Sequence, residues 1–122
     1  MANPSLIILY VEAPELSARF YADLLGREPV GQAPTFFAFN LDGGYTLGLW
    51  ATRTVAPPPS PSGNRSELAF LVQDAAAVDE LHGQWVRKGI RIAQEPFTAV
   101  FGRTFVGLDP DGHRLRVCIA DA

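Results

Sequence analysis

The sequence predicts an α+β fold in which two βαβββ modules form curved sheets around a cleft. Three observations carry this expectation. Hydrophobic periodicity runs twice in the same order, as a strand-like stretch, a helical stretch and three further strand-like stretches. A proline-rich segment, VAPPPSPSGN at 55–64, separates the two runs near the midpoint of the 122 residues. A turn motif precedes the last strand of each run: Asp42-Gly43-Gly44 in the first and Asp109-Pro110-Asp111-Gly112 in the second. The expected organisation is one domain over 1–122, built from modules 1–54 and 65–122 joined by an exposed linker at 55–64.

The first module opens with LIILYV (6–11), an apolar run of strand length. Pro14 sits near the start of the following helix, where its missing N–H costs little, and Gly26 closes that helix. Leu16, Phe20 and Leu24, flanked by Tyr21, are expected to form its apolar stripe. REPV (27–30), TFFAFNL (35–41) and YTLGLWA (45–51) then read as strands, the last two forming a hairpin. The second module repeats the plan from ELAFLV (67–72), and Val72 matches Val11 at a distance of 61 residues. Asp74 is a candidate helix N-cap, Val78, Leu81 and Trp85 with Val86 alongside make the stripe, and Gly89 ends the helix. IRIAQE (90–95), RTFVGLD (103–109) and HRLRVCIA (113–120) complete the module as strands. A helix covers one face of each sheet, leaving the other to line the cleft.

Composition narrows the functional classes. With 48% hydrophobic and 19% charged residues, the chain can bury a normal core without disulfides or metal. The net charge of −3 and the scatter of basic residues argue against nucleic acid, which needs a clustered positive surface. No apolar run approaches membrane-spanning length, and the N-terminus lacks the layout of a secretion signal, so a cytoplasmic location and no membrane partner are expected. Cys118 is the single cysteine, which excludes an intrachain disulfide, and its apolar strand suggests a buried, inert thiol.

The duplicated plan, RFYADLLGREP (19–29) and DPDGHRLRV (109–117) together resemble the vicinal oxygen chelate superfamily, the glyoxalase/bleomycin resistance/dioxygenase group. The resemblance covers nearly the whole chain and implies the glyoxalase/bleomycin-resistance fold. EPFTAVFGRTFVGLDPDGHRLRVC (95–118) and YTLGLW (45–50) are similar to the matching parts of a phenazine-antibiotic resistance protein in that superfamily, which implies a ligand sequestered without metal. In metal-dependent members, four inward-facing strand positions supply the ligands, and carried onto this chain those positions read Leu6, Gly48, Glu67 and Arg116. Leucine and glycine have no ligating side chain, and arginine stays protonated and repels a cation. Glu67 alone does not make a zinc, nickel or iron site. His82 and His113 lack carboxylate or thiol neighbours at ligand spacing, so no metal and no other cofactor are expected.

Strand alternation then assigns the cleft lining. If Gly48 faces the cleft, so do Thr46 and Trp50, along with Leu6, Ile8 and Tyr10 on the first strand. In the second module Glu67, Ala69 and Leu71 join Arg114, Arg116 and Cys118. Trp50 is the leading candidate: it opposes the aliphatic residues of its strand, Gly48 clears space beside it, and the resemblance implies that it stacks on a ligand ring. The competing role for Trp50 is core filling. Tyr10 is a second wall candidate. Phe37 and Phe39 share one face of their strand and Phe36 the other. Alternation does not say which face meets the cleft, and Phe39 is counted among the candidates. AVFGRTF (99–105) reads as a rim, with Phe101 placed to stack on an aromatic ligand and Arg103 to bind a carboxylate. Glu67 and Arg116 are expected to pair with each other, since either charge buried alone is costly.

Two functions compete. The first is a metal-independent binding protein that sequesters a planar aromatic compound, such as a phenazine-like antibiotic, and so confers resistance. No serine or threonine has an adjacent base to activate it, which favours this reading. The second is a glyoxalase- or dioxygenase-type enzyme with an atypical or absent metal site and Glu67 as general base. Pairing with Arg116 would occupy that base. Small chains of this resemblance commonly form homodimers, and the same is expected here.

Overall fold

The computed structural model describes residues 4–56, 58–59 and 66–120. Two compact units, 1–61 and 62–122, divide the chain. Each contains one long helix on a four-stranded mixed sheet, and the α+β βαβββ plan stands.

In the first unit the elements are β1 (Leu6–Val11), α1 (Pro14–Leu25), β2 (Gly31–Ala33), β3 (Phe36–Asn40) and β4 (Thr46–Ala51), ending in a 3-10 turn at Thr52–Thr54. The sheet order is β1-β4-β3-β2, with β1 parallel to β4 and the other pairs antiparallel. A crossover helix is what a parallel pairing of β1 with β4 requires, because no tight hairpin can join parallel strands. Pro14 occupies the first turn of α1, and Gly26 ends it in the left-handed conformation at φ 66°.

The second unit repeats this as β5 (Glu67–Val72), α2 (Ala75–Arg87), β6 (Arg91–Ala99), β7 (Gly102–Leu108) and β8 (Arg114–Ile119), in the order β5-β8-β7-β6. Asp74 caps α2, its Oδ1 accepting from the Ala77 N–H at 2.8 Å. Even the register is duplicated: Leu6 stands opposite Thr46, and Glu67 opposite Arg114, so each parallel pair starts in step. Asp109 organises the turn before β8. Its buried carboxylate accepts from the Asp111 and His113 N–H groups at 2.9 and 2.8 Å.

Several expectations need correction. REPV (27–30) is not a strand; β2 starts at Gly31, and Pro29 has no N–H to give a ladder. The α1 stripe is rotated: Pro14, Ser17, Ala18 and Tyr21 are buried, whereas Leu16 is 50% exposed and Phe20 and Leu24 are half-buried. Small side chains at 17 and 18 let the helix backbone approach the sheet, and the Tyr21 ring then fills the space. β6 runs past Gln94 to Ala99 and shifts register between Ile92 and Gln94 and between Gln94 and Phe97, which accommodates Pro96. Most of the expected linker at 55–64 lies outside the described residues, and its first residue, Val55, is buried rather than exposed. Cys118 is half-buried rather than buried.

The cores lie between helix and sheet. Leu9, Val11, Phe39, Leu47, Leu49 and Tyr21 close the first. In the second, Trp85 meets Phe70 and Phe105 edge-on, at centroid distances of 5.6 and 5.1 Å. His82 pads the same cluster against Phe105, with Nε2 3.0 Å from Glu95 Oε1.

Candidate functional site

The helix-facing cores leave each sheet with a second face of different chemistry. In the first unit, odd-numbered residues of β1, β3 and β4 pack toward α1, so the even-numbered ones stand on the far side. That far face carries Leu6, Ile8 and Tyr10 of β1, Phe36 and Ala38 of β3, and Gly48 and Trp50 of β4. Tyr10 and Trp50 are register partners whose rings meet edge-on at 6.4 Å. Trp50 is half-buried, and Gly48 next to it is held bare by close neighbours. A Cβ there would lie 2.8 Å from Phe36 Cζ and 3.6 Å from Ile8 Cγ1. The result is an aromatic floor of Tyr10, Phe36 and Trp50.

Phe39 does not belong to this floor. It is fully buried under α1, because it pairs with Leu47 on the helix side. Phe36, opposite Trp50, takes the place expected of it. A signal for this was present: the three-residue turn Asp42-Gly43-Gly44 pairs Leu41 with Tyr45, which counts back to Phe36 opposite Trp50. Arg27 clamps that turn, with Nη2 2.8 Å from Asp42 Oδ1 and Nη1 donating to the Asn40 carbonyl at 2.9 Å.

In the second unit the face away from α2 carries charge. Arg116 Nε donates to Glu67 Oε1 at 2.6 Å, and Nη1 donates to Thr104 Oγ1 at 3.1 Å. Thr104 is fully buried, and its hydroxyl donates in turn to the Val117 carbonyl at 2.8 Å. Phe101, exposed at the β6–β7 turn, covers the guanidinium with its ring centroid 5.9 Å from Cζ. Glu67, Phe101 and Arg116 therefore come together as one group, with Thr104 as the anchor that residue pattern alone did not disclose.

Arg103 is elsewhere. Its odd position shares the face of Phe105, and its Nε donates to Asp79 Oδ1 of α2 at 3.0 Å. Arg103 is therefore not beside Glu67 and Arg116, since its guanidinium lies on the helix side of the sheet with Nε on Asp79.

A metal does not suit the four positions that the family pattern uses. Leu6 and Gly48 offer no donor atom, and the one carboxylate, Glu67, already accepts from a guanidinium that would repel a cation. Among the described residues, no three His, Cys, Asp or Glu side chains gather in a metal-holding group.

Comparison with known proteins agrees with this fold. The chain is 36% identical over 124 residues to the phenazine antibiotic resistance protein EhpR of Enterobacter agglomerans, covering 98% of this chain and 93% of that protein. Protein ATC0852 from Agrobacterium tumefaciens is 45% identical, with a TM-score of 0.90 and complete coverage of both chains (100% each). A glyoxalase-related enzyme from Fulvimarina pelagi matches at a TM-score of 0.84 and 23% identity, over 98% of this chain and 89% of that one, a likeness of fold. The family model described as Glyoxalase/Bleomycin resistance protein/Dioxygenase superfamily matches residues 4–117, and the chain belongs to that superfamily.

Proposed function

We propose that this protein binds a planar aromatic compound, phenazine-like in character, and confers antibiotic resistance by sequestering it in the cytosol without metal or chemical conversion. One observation carries the reading: Trp50 stands on the sheet face away from α1, beside bare Gly48 and edge-on to Tyr10. A half-buried indole in an aromatic floor with Tyr10 and Phe36 is a stacking platform, and a few polar groups then suffice for orientation. The relative named for phenazine resistance supports the ligand class. Metal independence is supported by the donor set, in which arginine and glycine stand where ligands would be needed. Glu67 is a poor general base while Arg116 Nε holds its oxygen at 2.6 Å, which disfavours the enzymatic reading.

We also infer a homodimer, as the resemblance to small chains of this superfamily implies.

Tryptophan fluorescence tests the binding reading. Titration with phenazine is expected to quench emission stoichiometrically, leaving the ligand chemically unchanged. Trp50→Phe should lose most of the quenching, because the remaining Trp85 is only 1% exposed in the core. Trp50→Ala should weaken binding by about 5- to 150-fold, the equivalent of roughly 1–3 kcal/mol for aromatic stacking. Unchanged affinity in Trp50→Ala would remove Trp50 from the site. Conversion of the ligand, or activity that appears on adding a divalent cation, would favour the enzyme instead.

A further inference from the structure

We propose that the hollow between α1 and the β2–β3 edge of the first unit is a second small-molecule site, built for a free amino acid with an apolar side chain. The hollow measures about 350 Å³, within the roughly 300–1,000 Å³ of pockets that hold small ligands. It lies on the helix side of the sheet, the face opposite Trp50, and every residue that lines it belongs to the first unit.

The rotation of α1 creates the hollow. Ala18 and Ala22 form the helix wall, and their methyl groups are too short to fill the space above the sheet. Phe37 is thus left half-buried as an aromatic floor, with Pro29 also in the lining. Gln32 is the register partner of Phe37 on the edge strand, so its amide stands on the same face.

The rim carries both signs of charge, and its polar groups are uncommitted. Glu15 and Arg19 stand one turn apart on α1, in the order that favours an ion pair, yet they make none. Glu28 joins them from the connection between α1 and β2. The side chains of Glu15, Arg19, Glu28 and Gln32 have no ion pair or hydrogen bond among the described residues. Two carboxylates suit an ammonium group, and the guanidinium fork of Arg19 takes a carboxylate through two parallel bonds. The amide of Gln32 serves either group, and Phe37 with the two alanines receives the apolar side chain. The acids alone would suit any cation; Arg19 among them is what calls for a zwitterion.

This site shares no residue with the aromatic floor of Tyr10, Phe36 and Trp50, so it stands or falls separately from phenazine binding. NMR titration with L-phenylalanine is expected to shift the Ala18 and Ala22 methyl signals and the Gln32 side-chain N–H signals. N-acetyl-L-phenylalanine lacks the ammonium group and L-phenylalaninamide lacks the carboxylate, and each should bind at least tenfold more weakly. Arg19→Gln should erase the preference for the acid over the amide. Changing both Glu15→Gln and Glu28→Gln should erase the preference over the acetylated compound. All three side chains are exposed, so these variants keep the fold. Equal affinity of the unmodified protein for the three compounds overturns the proposal. So does the absence of shifts at Ala18, Ala22 and Gln32 with millimolar L-phenylalanine, or shifts confined to Tyr10 and Trp50.

Discussion

Arg116 draws its position from Thr104 as much as from Glu67. The threonine hydroxyl donates to the Val117 carbonyl and accepts from Arg116 Nη1, so one buried group serves both strand and guanidinium. Thr104→Val keeps the volume and removes both bonds, and it should destabilise the protein by about 1–2 kcal/mol in urea unfolding, with Thr104→Ser losing less. Equal losses in the two variants would mean that packing, not the hydroxyl, is what Thr104 supplies. The Glu67–Arg116 pair itself is partly exposed, at 34% and 21% of the side chains, so its main contribution is orientation rather than stability. This pairing was legible in the sequence, because two opposite charges on neighbouring inward strand positions have little else to do. Thr104 was not, since nothing in a threonine on a strand distinguishes a buried anchor from an ordinary β-former.

The two glycines that interrupt strand faces separate core from site. Gly107 of β7 lies beneath the second core, where a Cβ would come within 2.8 Å of Trp85 Cε3 and 3.2 Å of Ile90 Cγ2. Gly48 of β4 lies on the far face, with Phe36 Cζ at the same 2.8 Å. The distances match, but Trp85 is wedged between Phe70 and Phe105, whereas Phe36 is only half-buried and has room to turn. Gly107→Ala should therefore cost about 2–3 kcal/mol and Gly48→Ala about 1 kcal/mol or less, with the latter altering ligand affinity. Thermal unfolding of both variants checks the order, and a reversed order would contradict the assignment of faces. Strand limits were readable where turns were sharp, as at Asp42-Gly43-Gly44 and Asp109–Gly112. They were misread at REPV and IRIAQE, where β2 is short and β6 bulges, because pairing partners rather than local propensity set those ends.

The molecule is a duplication down to hydrogen-bond register, yet its two far faces have diverged. One is aromatic and apolar, with Tyr10, Phe36 and Trp50; the other carries Glu67, Arg114 and Arg116. The inferred homodimer predicts its own mass: sedimentation should give about twice the 13.2 kDa chain mass, and a monomer at tens of micromolar would refute the dimer.

Periodicity, turn chemistry and the midpoint break were enough to establish the paired βαβββ plan from sequence. They also placed Trp50 opposite its aliphatic neighbours, while the position of Arg116 where a metal ligand would stand is what the resemblance to the superfamily implies. These features depend on local alternation and on residue chemistry, which survive without coordinates. Folding settled what depends on register and rotation between elements: Phe39 beneath α1 with Phe36 in its stead, Arg103 turned to Asp79, and Arg116 tied to both Glu67 and Thr104. A shift of one strand position exchanges faces, and a helix turned by one residue exchanges its buried set. Those choices are made by the fit of side chains across elements, which no single stretch of sequence contains.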